Sequence, residues 1–261
     1  MNDVLALNKT ALTFACCLLG FSVSPAPLSP ASAAEKMPAM RTPVVPAPPL
    51  NLTVPQALVR FAGPARVALK DEFARAGVPY PPAKLTLVGL KQERVVLLFA
   101  GARPKLIAQW PLSTFSGKLG PKLREGDLQI PEGTYKITGL RASFRLSLLV
   151  DYPNRFDRLQ AAADKRTQLG GDILIHNGTH STGCLVLSID DMAQIFTAAH
   201  DVGCANLTLI IAPCNLSKGK PALDMASQPG WLPSHYEHLR RQLSQFPLPS
   251  LPSLPSLPSP P

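Results

Sequence analysis

The sequence predicts an α+β domain, mainly β, in which a β-sandwich or mixed sheet is flanked by helices. Two observations carry this: short apolar runs bounded by turn residues fill the middle of the chain, and helical spacing appears before and after them. PARVALKDEFARAGV (64–78) has helical spacing and stops at Gly77. LTLVGL (85–90) and VVLLFA (95–100) read as strands joined by a polar turn at 91–94. IAQWPLS (107–113), GTYKIT (133–138) and LSLLVDY (146–152) read as further strands, and a helix is expected over 155–165. DILIHNG (172–178) is a short, almost continuously apolar strand that ends in polar and small residues, and another short apolar strand follows Cys184. Ser188 begins the next helix, with Asp191 in capping-box position and Gly203 as the stop. LTLIIA (207–212) is a buried strand, and 234–245 a last amphipathic helix.

The 29 prolines of the 261-residue chain are roughly twice average usage and gather at its ends. Residues 1–33 read as a secretory signal peptide: Lys9 precedes an apolar run at 11–23, and Ala31-Ser32-Ala33 offers small residues for cleavage. The run is shorter than the roughly 20 apolar residues of a membrane span, so membrane contact is expected only through this segment if it stays uncleaved. Residues 34–52 form a Pro/Ala-rich linker, 53–246 the folded domain, and 247–261 a Pro-rich tail. The tail's three-residue LPS repeat matches the turn of polyproline II and is expected to be extended and solvated.

The net charge of +9 suits an anionic partner. Export and an aromatic content of 6%, with scattered basic residues, argue against nucleic acid. Cleavage leaves three cysteines, of which Cys204 and Cys214 bracket a strand. They are either a disulfide or two buried apolar thiols, and Cys184 is the odd one out in both cases.

The informative segment is DILIHNGTHSTGCLVLSIDDMAQIF (172–196). A strand carries His176, a Gly- and Thr-rich loop turns, and Gly183-Cys184 follows. A nucleophilic cysteine needs partial exposure and a neighbour that stabilises its thiolate, which a histidine across a tight loop supplies. Gly183 leaves room for a substrate carbonyl, and the backbone N–H groups near Thr182 to Cys184 are candidates to hold a developing oxyanion.

IHNGTHSTGC resembles the signature of the L,D-transpeptidase catalytic domain (YkuD) family, which carries Ile-His-Gly followed by Ser-x-Gly-Cys. The short His-to-Cys loop is closest to the YafK-like branch. GPKLREGDLQIPEGTYKI (120–137) resembles that branch's Gly-Pro-Lys, Gly-Asp, Pro-Glu-Gly-x-Tyr run, and YPNRFDR (152–158) its Pro-Asn-x-x-Asp-Arg element. The likeness covers about residues 85–213, in order.

The resemblance implies an L,D-transpeptidase-type fold, Cys184 as nucleophile, His176 as general base and no cofactor. The implied partner is a diaminopimelate-containing peptidoglycan stem peptide in the periplasm. An amine acceptor then gives a cross-link or an attached wall protein, and water gives amidase cleavage. Thr182 and Val186 stand where most members have His and Arg, as in the YafK-like branch, and Asn177 stands where Gly is usual. His180 is an alternative base. Lys122 and Glu132 sit in motif positions that imply substrate contact, as does Asp127, although turn chemistry also accounts for Asp127 and Glu132. Tyr135 reads as core or pocket wall, and Asp157 with Arg158 as a surface pair.

Two rival readings differ in class. His176, His180 and Cys184 recur every four residues, the spacing of metal ligands on a helix, but the intervening Gly178 and Gly183 argue against helix there. A catalytically silent cell-wall-binding module is the other.

Overall fold

A computed structural model describes residues 49–251. The signal peptide, most of the linker and the last ten residues of the tail lie outside the described residues. Helix α1 (Val54–Ala76) starts ten residues before the expected position. Thr53 caps it by a full capping box with Gln56, and Pro64 is tolerated inside it. Proline ordinarily reads as a helix start or break. Here Ala57 and Ala62 are buried on the N-terminal side of Pro64, so tertiary packing holds the extra turns.

The strands are β1 (Leu85–Leu90), β2 (Val95–Ala100), β3 (Lys105–Pro111), β4 (Gly133–Arg141), β5 (Ser147–Val150), β6 (Leu174–Asn177), β7 (Leu185–Leu187) and β8 (Leu207–Ala212). The remaining helices are α2 (Arg155–Ala163), α3 (Ile189–Val202) and α4 (Leu232–Leu243). All eight strands form one mixed sheet in the order β3-β2-β1-β8-β4-β5-β6-β7. Among the described residues only β1/β8 and β6/β7 are parallel pairs. Beyond β3, Thr114 bridges Val186 of β7, and Ser113 N–H donates to the Val186 carbonyl at 2.8 Å. The two ends of the sheet therefore meet, and the expected mixed sheet flanked by helices is a single curled sheet.

Helices α1 and α3 cover one face, where Leu69, Phe73, Met192 and Phe196 pack with Leu87, Leu98 and Leu209. Helix α4 covers the other near β1, β2 and β8, with Leu239 and Leu243 against Val88, Leu97 and Ile210. Each such side chain contributes roughly 1.5–3 kcal/mol on leaving water. The folded part extends past both expected boundaries. Leu50 and Leu52 pack on the first cluster, while Phe246, Leu248 and Leu251 pack on the second.

The cysteines Cys184, Cys204 and Cys214 are free. Cys204 and Cys214 lie at opposite ends of the six-residue strand β8, which spans about 20 Å, far beyond the roughly 7 Å a disulfide can bridge.

One buried ion pair fixes the long connection between β3 and β4. The side chains of Lys91 and Glu132 are both 0% exposed, with Nζ 2.8 Å from Oε1. Lys91 Nζ also donates to the carbonyls of Gly120 (2.7 Å) and Ile130 (2.9 Å). Glu132 accepts from the Gly120 amide at 2.9 Å and from the Tyr236 hydroxyl of α4 at 2.7 Å. This connection forms one wall of the site.

Candidate active site

The parallel register of β6 and β7 places His176 opposite Val186 and Ile175 opposite Leu185. Ile175, Leu185 and Leu187 join the main core. Alternation along the strands turns His176, Val186 and Cys184 to the opposite face. Cys184, one residue before β7, is level with Leu174, so His176 lies two residues, about 7 Å, further along the same face.

The loop between them is shaped by glycine and by one hydroxyl. Gly183 has φ +126°, and a Cβ there would lie 2.8 Å from the Gln129 carbonyl oxygen, so no other residue fits without movement. Ser181 Oγ accepts the N–H groups of Gly183 (3.2 Å) and Cys184 (3.1 Å) and donates to the Cys184 carbonyl at 2.8 Å. Ser116, from beyond β3, reaches the same hydroxyl at 2.7 Å. Two of the three backbone donors expected to hold an oxyanion are thus drawn to Ser181, and only that of Thr182 is left.

Cys184 is 9% exposed, and its sulfur accepts from the Leu174 amide at 3.4 Å while its S–H points to the Asp172 carbonyl at 3.7 Å. Burial pushes the thiol pKa up and the Asp172 charge adds to this, whereas the Leu174 amide and the Lys122 charge pull it down; the net direction is upward. His176 Nδ1 bonds the Asn177 carbonyl at 2.9 Å. A carbonyl only accepts, so Nδ1 carries the proton and Nε2 keeps its lone pair. Burial lowers the imidazole's pKa; the Asn177 bond opposes this and the Arg145 charge reinforces it. No hydrogen bond joins His176 to Cys184 among the described residues. Both shifts favour the neutral forms, and the imidazole and the sulfur each bond the main chain instead of one another.

Cys184 opens on a cleft of about 350 Å³ whose wall includes Lys122, Glu125, Leu128, Asp172 and Thr182. Leu128 (φ +58°) and Asp172 (φ +50°) both adopt left-handed backbone, a strained state that clusters at functional sites. Lys122 Nζ donates to Asp127 Oδ1 at 2.7 Å and to the Arg124 carbonyl at 3.0 Å. Glu132 does not line the cleft; its carboxylate is taken up by Lys91, Gly120 and Tyr236 inside the fold.

His180 is exposed and bonds Thr179 Oγ1 at 2.9 Å, away from the cleft lining. Tyr135 is buried and donates to Asp157 at 3.4 Å. Asp157 completes the capping box of α2 with Asn154 rather than an ion pair with Arg158. His176 sits in a strand, His180 in a loop and Cys184 at the next strand's start, so no helical face presents the three together. Among the described residues no three His, Cys, Asp or Glu side chains gather as metal ligands would.

Sequence reasoning missed Ser116, Ser181, Arg145 and the main chain of Asp172. Ser181 alone had a signal, as the Ser of Ser-x-Gly-Cys. Arg145 Nη1 donates to the Asn177 carbonyl at 3.2 Å, and its guanidinium lies over Gly178, where a Cβ would collide with it.

A curled mixed sheet with flanking helices, carrying a cysteine and a histidine on one face beside a cleft, defines an α+β protein with a candidate thiol site. No family model matches the chain. It is similar to YafK, a candidate L,D-transpeptidase, from two Escherichia coli strains: 29% identity over 136 residues, or 49% of this chain and 53% of YafK. The chain thus spans about half the length of the curated relatives it matches. The resemblance read from the three motifs is borne out by this similarity. Among solved structures, a variant of the helical cell shape determining protein Pgp2 from Campylobacter jejuni gives a TM-score of 0.43 at 16% identity, covering 69% of this chain and 61% of that one. L,D-transpeptidase 1 of Mycobacterium tuberculosis gives 0.30 at 13% identity, covering 49% and 62%. Among the described residues no helix is long and apolar enough to cross a membrane.

Proposed function

We propose that the chain is an exported, periplasmic cysteine acyltransferase of the L,D-transpeptidase type, acting on diaminopimelate-containing peptidoglycan stem peptides through a thioester on Cys184. The observation that carries this reading is the placement of Cys184 at a cleft, on the same sheet face as an imidazole whose Nε2 keeps its lone pair. His176 Nε2 takes the thiol proton, and the sulfur lone pair forms a bond to the substrate carbonyl carbon. When the tetrahedral adduct collapses, the C–N bond breaks and the departing amine takes the proton from His176. The thioester then passes its acyl group to an amine, giving a cross-link or an attached wall protein, or to water, giving cleavage.

Intact-mass measurement after incubation with stem-peptide fragments or a carbapenem tests the reading. Wild type is expected to gain one acyl adduct and Cys184→Ala none; an adduct that persists in the variant refutes the assignment. Product masses from digested sacculi then show whether an amine or water resolves the thioester.

A further inference from the structure

We propose that Lys122 is a further catalytic residue of this reaction: its ammonium, anchored by Asp127, donates a hydrogen bond to the oxygen that becomes negative when Cys184 attacks. This rests on the acyl-transfer reading above. The attack moves the carbonyl π pair onto oxygen, and some donor in the cleft must meet that charge. Two of the three loop amides that sequence suggests for the task are compromised, because Gly183 and Cys184 give their N–H groups to Ser181 Oγ, which leaves that of Thr182.

Lys122 lines the same cleft as Cys184, and its charge acts on the sulfur. Its side chain is 4% exposed, and two of its donors go to Asp127 and the Arg124 carbonyl. An ammonium has three N–H donors, so one remains beyond these two bonds. The anchor is rigid. Asp127 accepts the backbone N–H groups of Leu123 (2.8 Å), Arg124 (2.9 Å) and Gln129 (3.0 Å) as well as Lys122. Burial opposes ionisation of Asp127, but the Lys122 bond and the three amides outweigh it and hold its pKa below the ordinary range. A structural role alone does not call for this arrangement, since well-packed apolar side chains often replace a buried ion pair without loss. The proton that moves is the thiol's, to His176 and then to the leaving amine.

The test compares two reactions at one sulfur. Alkylation by iodoacetamide creates no oxyanion, whereas acylation by a carbapenem does. For Lys122→Met the acylation rate is expected to fall about 10²–10³-fold, while alkylation, compared at equal thiolate fraction from a pH profile, stays within about threefold. Lys122→Arg, which keeps charge and the Asp127 contact, should recover most of the acylation. Asp127→Asn, which keeps the ammonium but loosens it, should lower acylation and leave alkylation in place. Should Lys122→Met not fold, Lys122→Arg and Asp127→Asn decide on the same two rates. Equal loss of both reactions, or acylation unchanged in Lys122→Met or Asp127→Asn, overturns the proposal alone. A wild type that alkylates yet accepts no acyl donor overturns the acyl-transfer reading and this assignment with it.

Discussion

Replacing Lys91 by methionine separates the two roles open to Glu132. The ammonium of Lys91 meets Glu132 Oε1 and the carbonyls of Gly120 and Ile130, all in the interior. Lys91→Met removes all three contacts and leaves a carboxylate without its counter-charge, supported only by Tyr236 and the Gly120 amide. Breaking a buried pair from one side costs about 3–5 kcal/mol. In a domain of this size each kcal/mol shifts Tm by roughly 2–4 °C, so a fall of about 6–20 °C is expected. Glu132→Gln should cost a similar amount, and the double variant Lys91→Met/Glu132→Gln less than the sum, since the two changes remove one interaction. Urea unfolding followed by tryptophan fluorescence, using Trp110 and Trp231, reads the stability, and iodoacetamide labelling of the folded fraction reads Cys184. A Glu132→Gln protein of unchanged stability that has lost acyl transfer would refute the structural reading and return Glu132 to the substrate.

Four further outcomes follow from the site and the cysteines. Because burial lowers the pKa of His176, the imidazole stays neutral to lower pH than usual, and the acid limb of acyl transfer should fall below about pH 6.5; a limb above that value contradicts the geometry. Because burial raises the pKa of Cys184, its alkylation rate should still be rising above about pH 8.5, and a plateau below pH 7 would indicate a preformed thiolate. Gly183→Ala, with φ +126° and a 2.8 Å approach to the Gln129 carbonyl, should lose about 1–3 kcal/mol in a thermal-shift assay and most of its acyl transfer. Finally, Cys184, Cys204 and Cys214 should each take one alkyl group in unfolded, unreduced protein; two that need a reductant would contradict the separation of Cys204 from Cys214.

The strands at 85–90, 95–100 and 207–212 were legible to the residue because each is buried along nearly its whole length and bounded by turn residues, so local composition and structure coincide. Helix α1 was half legible: Pro64 hides what its buried alanines reveal. The curl of the sheet had no local signal, since it depends on Ser113 and Thr114 meeting Val186. At the site, residue type and motif pointed to Cys184 and His176, but a motif names a residue without saying where its side chain goes. Glu132 therefore read as a substrate contact although it faces Lys91. The Asp172 carbonyl beside the sulfur is main chain and leaves no trace in residue identity.

In the acyl transfer proposed above, the pKa shifts of Cys184 and His176, which favour both neutral forms, bear on how the nucleophile arises. Moving the thiol proton to His176 creates two charges in a place where burial disfavours each of them. Asp172 opposes the step twice, by its charge and by the carbonyl that accepts the S–H. The groups that favour it are the Leu174 amide and the Lys122 ammonium. A thiolate so disfavoured at rest is best formed in concert with attack, when the negative charge passes at once from sulfur to the substrate oxygen. Preorganised donors aimed at that oxygen then matter more than a stored ion pair. Sheet closure pins the Cys184 loop through Ser116 and Val186, and the Lys91–Glu132 pair pins the connection that carries Lys122.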